Sequence, residues 1–151
     1  MGSYTVSMAA IIPAPPAKVY RILADYHRHH PRIVPPEHFR NFQVLEGGVG
    51  AGTRTRFQVR VLGSVREVNH VVSEPEPGRV LMEAEPDGSS PTRFTVEPSD
   101  GERTRLTIAS ELSSRPGAAG IVERWITSMA LRRIYRKELA RIAAYAPGVT
   151  I

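Results

Sequence analysis

The chain has 151 residues, 41% of them hydrophobic and 23% charged, with a net charge of +5 carried almost wholly by 18 Arg against 2 Lys. That length suits one domain, which would bury about 68–70% of the surface its unfolded chain exposes, and the composition is globular rather than disordered. Cysteine is absent, which excludes a disulfide framework, a thiolate metal site and a cysteine nucleophile.

Met1-Gly2-Ser3-Tyr4-Thr5-Val6 lacks the basic region and apolar core of a signal peptide. Val6 also stands where a myristoylation signal needs Ser or Thr. No apolar run approaches the roughly 18–20 residues that span a bilayer, so a soluble cytoplasmic protein is expected. From Tyr4 to Ile12, Val6, Met8, Ala10 and Ile12 alternate with smaller or polar residues, the pattern of a half-buried strand. Pro13-Ala14-Pro15-Pro16 ends it and opens a helix on which Val19, Ile22, Leu23 and Tyr26 fall at helical spacing. Pro31 ends that helix, because the residue before a proline is pushed out of the helical region. His27 to His38 follows as an irregular stretch.

From Phe39 onward, strands follow one another. Thr53, Thr55, Phe57, Val59 and Val61 alternate with Arg54, Arg56, Gln58 and Arg60. After Gly63-Ser64, one strand carries Arg66, Val68, His70 and Val72 on one parity and Glu67, Asn69 and Val71 on the other. In the next, Val80, Met82 and Ala84 are expected inward, opposite Leu81, Glu83 and Glu85. Thr92, Phe94 and Val96, then Thr104, Leu106, Ile108 and Ser110, complete an antiparallel meander of six strands separated by Gly, Pro and Asp turns.

The last element runs from Pro116 to Ala146, a helix of roughly thirty residues between cap-type residues and Pro147-Gly148. Its first half gathers Ala118, Val122, Trp125, Ile126 and Met129 on one face; its second gathers Leu131, Tyr135, Leu139 and Ile142. At 100° per residue the two faces are offset by more than a quarter turn, so the halves should meet different surroundings. The order of elements is α+β: a seven-stranded sheet whose apolar face only the long helix can cover. A twisted sheet curling round a helix, with inward positions rich in Val, Thr, Ala and Met, predicts a hollow domain and a pocket of at least about 300 Å³.

Ile12-Pro13-Ala14-Pro15-Pro16-Ala17-Lys18-Val19-Tyr20 with Leu23-Ala24-Asp25-Tyr26 resembles the opening of the START-like (SRPBCC) superfamily of polyketide cyclases, lipid-transfer domains and birch-pollen-allergen-like proteins. Val44-Leu45-Glu46-Gly47 with Gly50-Ala51-Gly52-Thr53-Arg54 resembles its second and third strands. Glu74-Pro75-Glu76-Pro77-Gly78-Arg79-Val80 resembles its turn between the fourth and fifth. The resemblance covers essentially residues 1–151 and implies a helix-grip fold: a curved antiparallel seven-stranded sheet around a long C-terminal helix, with one or two short helices between the first two strands. It also implies a cavity for hydrophobic small molecules, in members that range from passive carriers to cyclases.

On this reading Phe57, Val59, Val61, Val68, Val72, Met82, Phe94, Leu106 and Ile108 line the cavity from the sheet, and Val122, Trp125 and Met129 from the helix. His27, His30 and Ile33 fall in a segment that this fold places at the cavity mouth, as a lid. If Val68 and Val72 point inward, His70 and Arg66 also enter the cavity, where they could serve the acid–base chemistry of a polyketide cyclase or aromatase. A bulge in that strand would expose both instead. No cofactor is expected: Gly47 to Gly52 has the gap of a phosphate loop but leads into a strand without the Lys. His27 and His30 have a ligand-like spacing with Asp25 and Glu37 nearby, but no zinc motif joins them, and no metal is expected. Arg54, Arg56, Arg60, Arg93, Arg103 and Arg105 share the solvent face with no interleaved aromatics, so no nucleic acid is expected either.

Overall fold

A computed structural model describes residues 2–151; Met1, the first residue of the stretch read for a leader, lies outside them. Strand β1 (Gly2–Ile12) is followed by two short helices, α1 (Pro16–Ala24) and α2 (His30–Ile33). Six strands come next: β2 (Phe39–Glu46), β3 (Arg54–Val61), β4 (Ser64–Glu76), β5 (Val80–Ala84), β6 (Thr92–Ser99) and β7 (Arg103–Ser114). A 29-residue helix, α3 (Gly117–Tyr145), closes the order. The strands form one antiparallel sheet in the order β1-β7-β6-β5-β4-β3-β2, so the sequence meander is broken only where β1 returns beside β7. Wrapped around α3, this sheet makes the helix-grip fold.

The sheet's inner face follows from its register. Directly opposed residues of antiparallel strands share a face. Phe57 opposes Val68, Thr55 opposes His70 and Val59 opposes Arg66, without interruption from Arg54–Val71 to Val61–Ser64. The bulge that would have turned His70 outward is therefore absent; the irregularities lie between β2 and β3 and at Ser73–Glu76. Arg54, Arg56, Arg60, Arg93, Arg103 and Arg105 are all exposed on the outer face. There Arg54 pairs with Glu46 at 3.8 Å and Arg56 with Glu67 at 3.0 Å.

The end of α1 is tied to the glycine-rich turn between β2 and β3. Tyr26 N donates to Gly48 O at 2.8 Å, and Gly50 N donates to Ala24 O at 2.9 Å. Gly48 has φ +148°, and a Cβ there would overlap the His27 ring, so only glycine fits. The hydrophobic core gathers Val6, Ile12, Val19, Ile22, Leu23 and Ile33 with Val72, Leu106, Leu139 and Ile142. It fills the end of the molecule under α1 and the C-terminal half of α3. What remains, between the middle of the sheet and the middle of α3, is a cavity.

Candidate functional site

The cavity has a volume of about 150 Å³ and is lined by β2 to β7, α2 and α3. All four phenylalanines of the chain, Phe39, Phe42, Phe57 and Phe94, form its wall with Val34, Val59, Val61, Val68, Ile108, Leu131 and Ile134. The rings stack: Phe42 lies 5.8 Å from Phe57 with planes 17° apart, and Tyr26 lies 4.3 Å from His30 with planes 18° apart. The volume is half the expected minimum, because these rings and a buried polar group occupy the space that a tally of small inward residues had left open.

That polar group centres on Glu83, on the inner face of β5. Its Oε1 accepts a hydrogen bond from Tyr26 Oη at 2.6 Å and lies 3.3 Å from His30 Nε2; its Oε2 lies 3.4 Å from His70 Nδ1. His30 Nδ1 donates to Leu23 O at 2.7 Å, which aims Nε2 at the carboxylate. Burial alone would raise the Glu83 pKa. The charge of His30, then His70 and the Tyr26 hydroxyl, outweigh it and hold the carboxyl down at about 2. Glu83 is thus an ionised carboxylate inside an apolar shell, tolerated because the Tyr26 hydroxyl donates to it and the His30 and His70 rings lie within ion-pair distance.

A second carboxyl enters from α3. Glu138 is 3% exposed, lines the cavity, and has neither a hydrogen bond nor an ion pair among the described residues. Burial first, and the Glu83 charge second, push its pKa up to about 8, so at neutral pH it is a carboxylic acid. Beside it, Tyr135 Oη is hydrogen-bonded to Ser110 Oγ, which is 2.6 Å from Thr92 Oγ1. Burial raises the Tyr135 phenol to about 12, so this chain of hydroxyls stays neutral.

The predicted residues divide into three groups. Phe57, Val59, Val61, Val68, Phe94, Ile108, His30 and His70 line the cavity, with Arg66 at its rim, mostly exposed and 3.5 Å from Glu85. Val72, Leu106 and Ile33 are fully packed in the core beyond the cavity's end. The third group faces elsewhere. Met82 opposes Ser73 and Arg93, on the outer face of β5, while Leu81 and Glu83 face inward. Alternation fits either parity where Val80, Leu81 and Met82 are all apolar, and a slip of one residue exchanges every side chain between faces. Val122, Trp125 and Met129 lie outside the cavity at 57%, 65% and 54% exposure. A continuous helix that seats the second half's apolar face on the sheet must turn the first half's face away. Trp125 and Met129 border instead a groove with Val61, Leu62, Ile126 and Ile134. In the segment expected to be a lid, His27 Nε2 meets Gly47 O at 3.1 Å on the surface, whereas His30 is buried; α2 is a wall of the cavity.

Sequence reasoning missed Glu83, Glu138, Phe39 and Phe42. Glu138 carried a usable signal, for its angle on the helical wheel falls between those of Ile134 and Leu131, which both face the sheet. Glu83 carried none without the register.

The sequence matches, over residues 3–147, the model of the family described as polyketide cyclase / dehydrase and lipid transport. The chain belongs to this family. Among solved structures it is similar to the KanY protein, with 28% identity, a TM-score of 0.84, and coverage of 98% of this chain and 100% of that one. It is also similar to the Zhui aromatase/cyclase from Streptomyces sp. R1128, at 20% identity and a TM-score of 0.74, covering 97% of this chain and 94% of the other. A START superfamily protein from Mycobacterium smegmatis shares 14% identity at a TM-score of 0.71, over 95% and 99% of the two chains. The latter two likenesses are of fold. No curated protein matches the sequence. These structures share the helix-grip architecture of this chain, and no described helix is long and apolar enough to cross a membrane.

Proposed function

We propose that the whole chain works as one domain that binds a hydrophobic small molecule in this cavity, as a carrier or sensor. The phenylalanine-walled space of about 150 Å³ carries the reading. An apolar cavity of about that size is enough for a benzene ring. The ligand's enclosed part is therefore one ring or a short acyl segment, and anything longer extends past Val61 and Ile134 into the outer groove. The test is an NMR titration with single-ring probes such as toluene or phenol. Saturable shifts of the Val68, Ile108 and Leu131 methyl groups are expected, and Val59→Phe, which fills the space, should abolish them. Binding that survives Val59→Phe, or shifts confined to other residues, overturns the reading.

One observation favours a second reading, a polyketide cyclase or aromatase. Two carboxyls of the same cavity are pushed in opposite directions, Glu83 to about 2 and Glu138 to about 8. Such divergence separates an acid from a charged orienting group. In this reading Glu83 orients His70 through Nδ1, and Nε2 accepts a proton from a carbon between two carbonyls. Glu138 donates its proton to the carbonyl oxygen that the new carbon–carbon bond converts to a hydroxyl, and Arg66 at the rim holds an anionic end of the substrate. A linear poly-β-ketone thioester incubated with the protein tests it. Turnover lost in both Glu138→Gln and His70→Gln, with probe binding kept, supports catalysis; no turnover above the buffer rate leaves the binding reading alone.

A further inference from the structure

We propose that the exposed half of α3, with the tip of the β3–β4 hairpin, docks on an anionic lipid surface. Ile121, Val122, Trp125, Ile126 and Met129 are each between 41% and 71% exposed, and they fall within an arc of roughly 140° on the helix. Leu62, at 66%, adds the hairpin tip to the same groove. A contiguous apolar stripe of this kind on a polar protein marks an interaction site.

The charge pattern selects the partner. Arg132, Arg133 and Arg136 continue the same helical face one turn further on, around Met129. None of the three has an ion pair or a side-chain hydrogen bond among the described residues. The only exposed acid on α3, Glu123, is engaged by Arg115 at 3.3 Å. A second copy of the chain would set these arginines against one another. A bilayer instead offers phosphates to the arginines and an acyl boundary to the Trp, Ile and Met side chains, the arrangement of an interfacial helix. Val61 and Ile134 border both the groove and the cavity, so an apolar molecule would pass from lipid to cavity along an apolar path. Docking itself does not depend on what the cavity holds.

The experiment is co-sedimentation of the ligand-free protein with phosphatidylcholine vesicles, with and without phosphatidylserine, while Trp125 emission is recorded. Binding that requires phosphatidylserine, falls with salt and shifts the emission to the blue is expected. The Arg132→Gln/Arg133→Gln/Arg136→Gln variant should bind about a hundredfold less. Arg93→Gln/Arg103→Gln/Arg105→Gln, which removes the same charge from the outer sheet face, should bind as before. Trp125→Ser, at an exposed position, should keep its melting temperature and lose partitioning. No phosphatidylserine-dependent binding, equal losses in the two triple variants, or a dimer in sedimentation velocity that Trp125→Ser dissolves would each overturn the proposal.

Discussion

From Ile121 to Met129 the apolar side chains of α3 look into solvent, whereas from Leu131 to Ile142 they look into the sheet. The mean directions of the two stripes differ by roughly 140°, and no proline or break in the helix separates them within Gly117–Tyr145. Hydrophobic content is similar in both halves. What differs is which half can reach the sheet: burying one stripe of a straight helix fixes the orientation of the other. Apolar character alone therefore does not identify core, and exposure in a half-helix of this kind is a property of the neighbouring half's packing.

The largest difference between the two halves is expected at the cavity end. Glu83→Gln keeps the side chain's shape but removes the charge facing His30 and His70, and should cost about 3–5 kcal/mol in chemical denaturation. Leu139→Ala, fully inside the second stripe, should cost about 2–5 kcal/mol by transfer and cavity terms. A loss below 1 kcal/mol there would mean that the second half is no better packed than the first.

Glu138 makes the buried half of the helix sensitive to pH. Its folded pKa of about 8 lies above the ordinary 4.5, so between these values the folded state holds a proton that the unfolded state has lost. Stability is then fully present below about pH 4.5 and falls by about 1.4 kcal/mol per pH unit as pH rises toward 8. Glu138→Gln should lack that slope and be the more stable protein at alkaline pH. Glu83 acts in the opposite sense: its depressed value contributes stability above 4.5 that is lost as pH falls toward 2. Melting curves of wild type and Glu138→Gln across this range check both signs.

The smallest effect belongs to the outer half. Trp125→Ala should change stability by less than about 1 kcal/mol, the range of surface substitutions, although tryptophan is the largest side chain in the helix. A core-sized loss would show that the exposed stripe folds back onto the sheet in solution.

Much of the architecture was legible in the sequence because alternation and turn residues report the sheet directly. Thr55, Phe57, Val59 and Val61 kept their predicted face, as did Phe94, Leu106 and Ile108. The failure at Met82 is local: Val80, Leu81 and Met82 are all apolar, so only the pairing of Leu81 with Phe94 decides which face is inner. The offset of the helix halves was also legible, but not which half would dock, since that depends on the length of sheet beneath it. Least legible was the site itself. Glu83 acquires its three partners, Tyr26, His30 and His70, from the turn after α1, from α2 and from β4, 57, 53 and 13 positions away in sequence, and no spacing rule joins them.

The stacked rings along Phe42 and Phe57, with T-shaped contacts between Phe57 and His70 and between Phe94 and His30, also make the cavity a magnetic map. Ring currents shield nuclei above an aromatic face and deshield those at its edge. A guest lying parallel to the Phe42–Phe57 column would show its proton resonances moved upfield. One turned with its polar end toward Glu138 and the Tyr135 hydroxyl would present other protons to the ring edges and move them downfield. The sign of each proton's shift would thus give the orientation of the guest without a further structure.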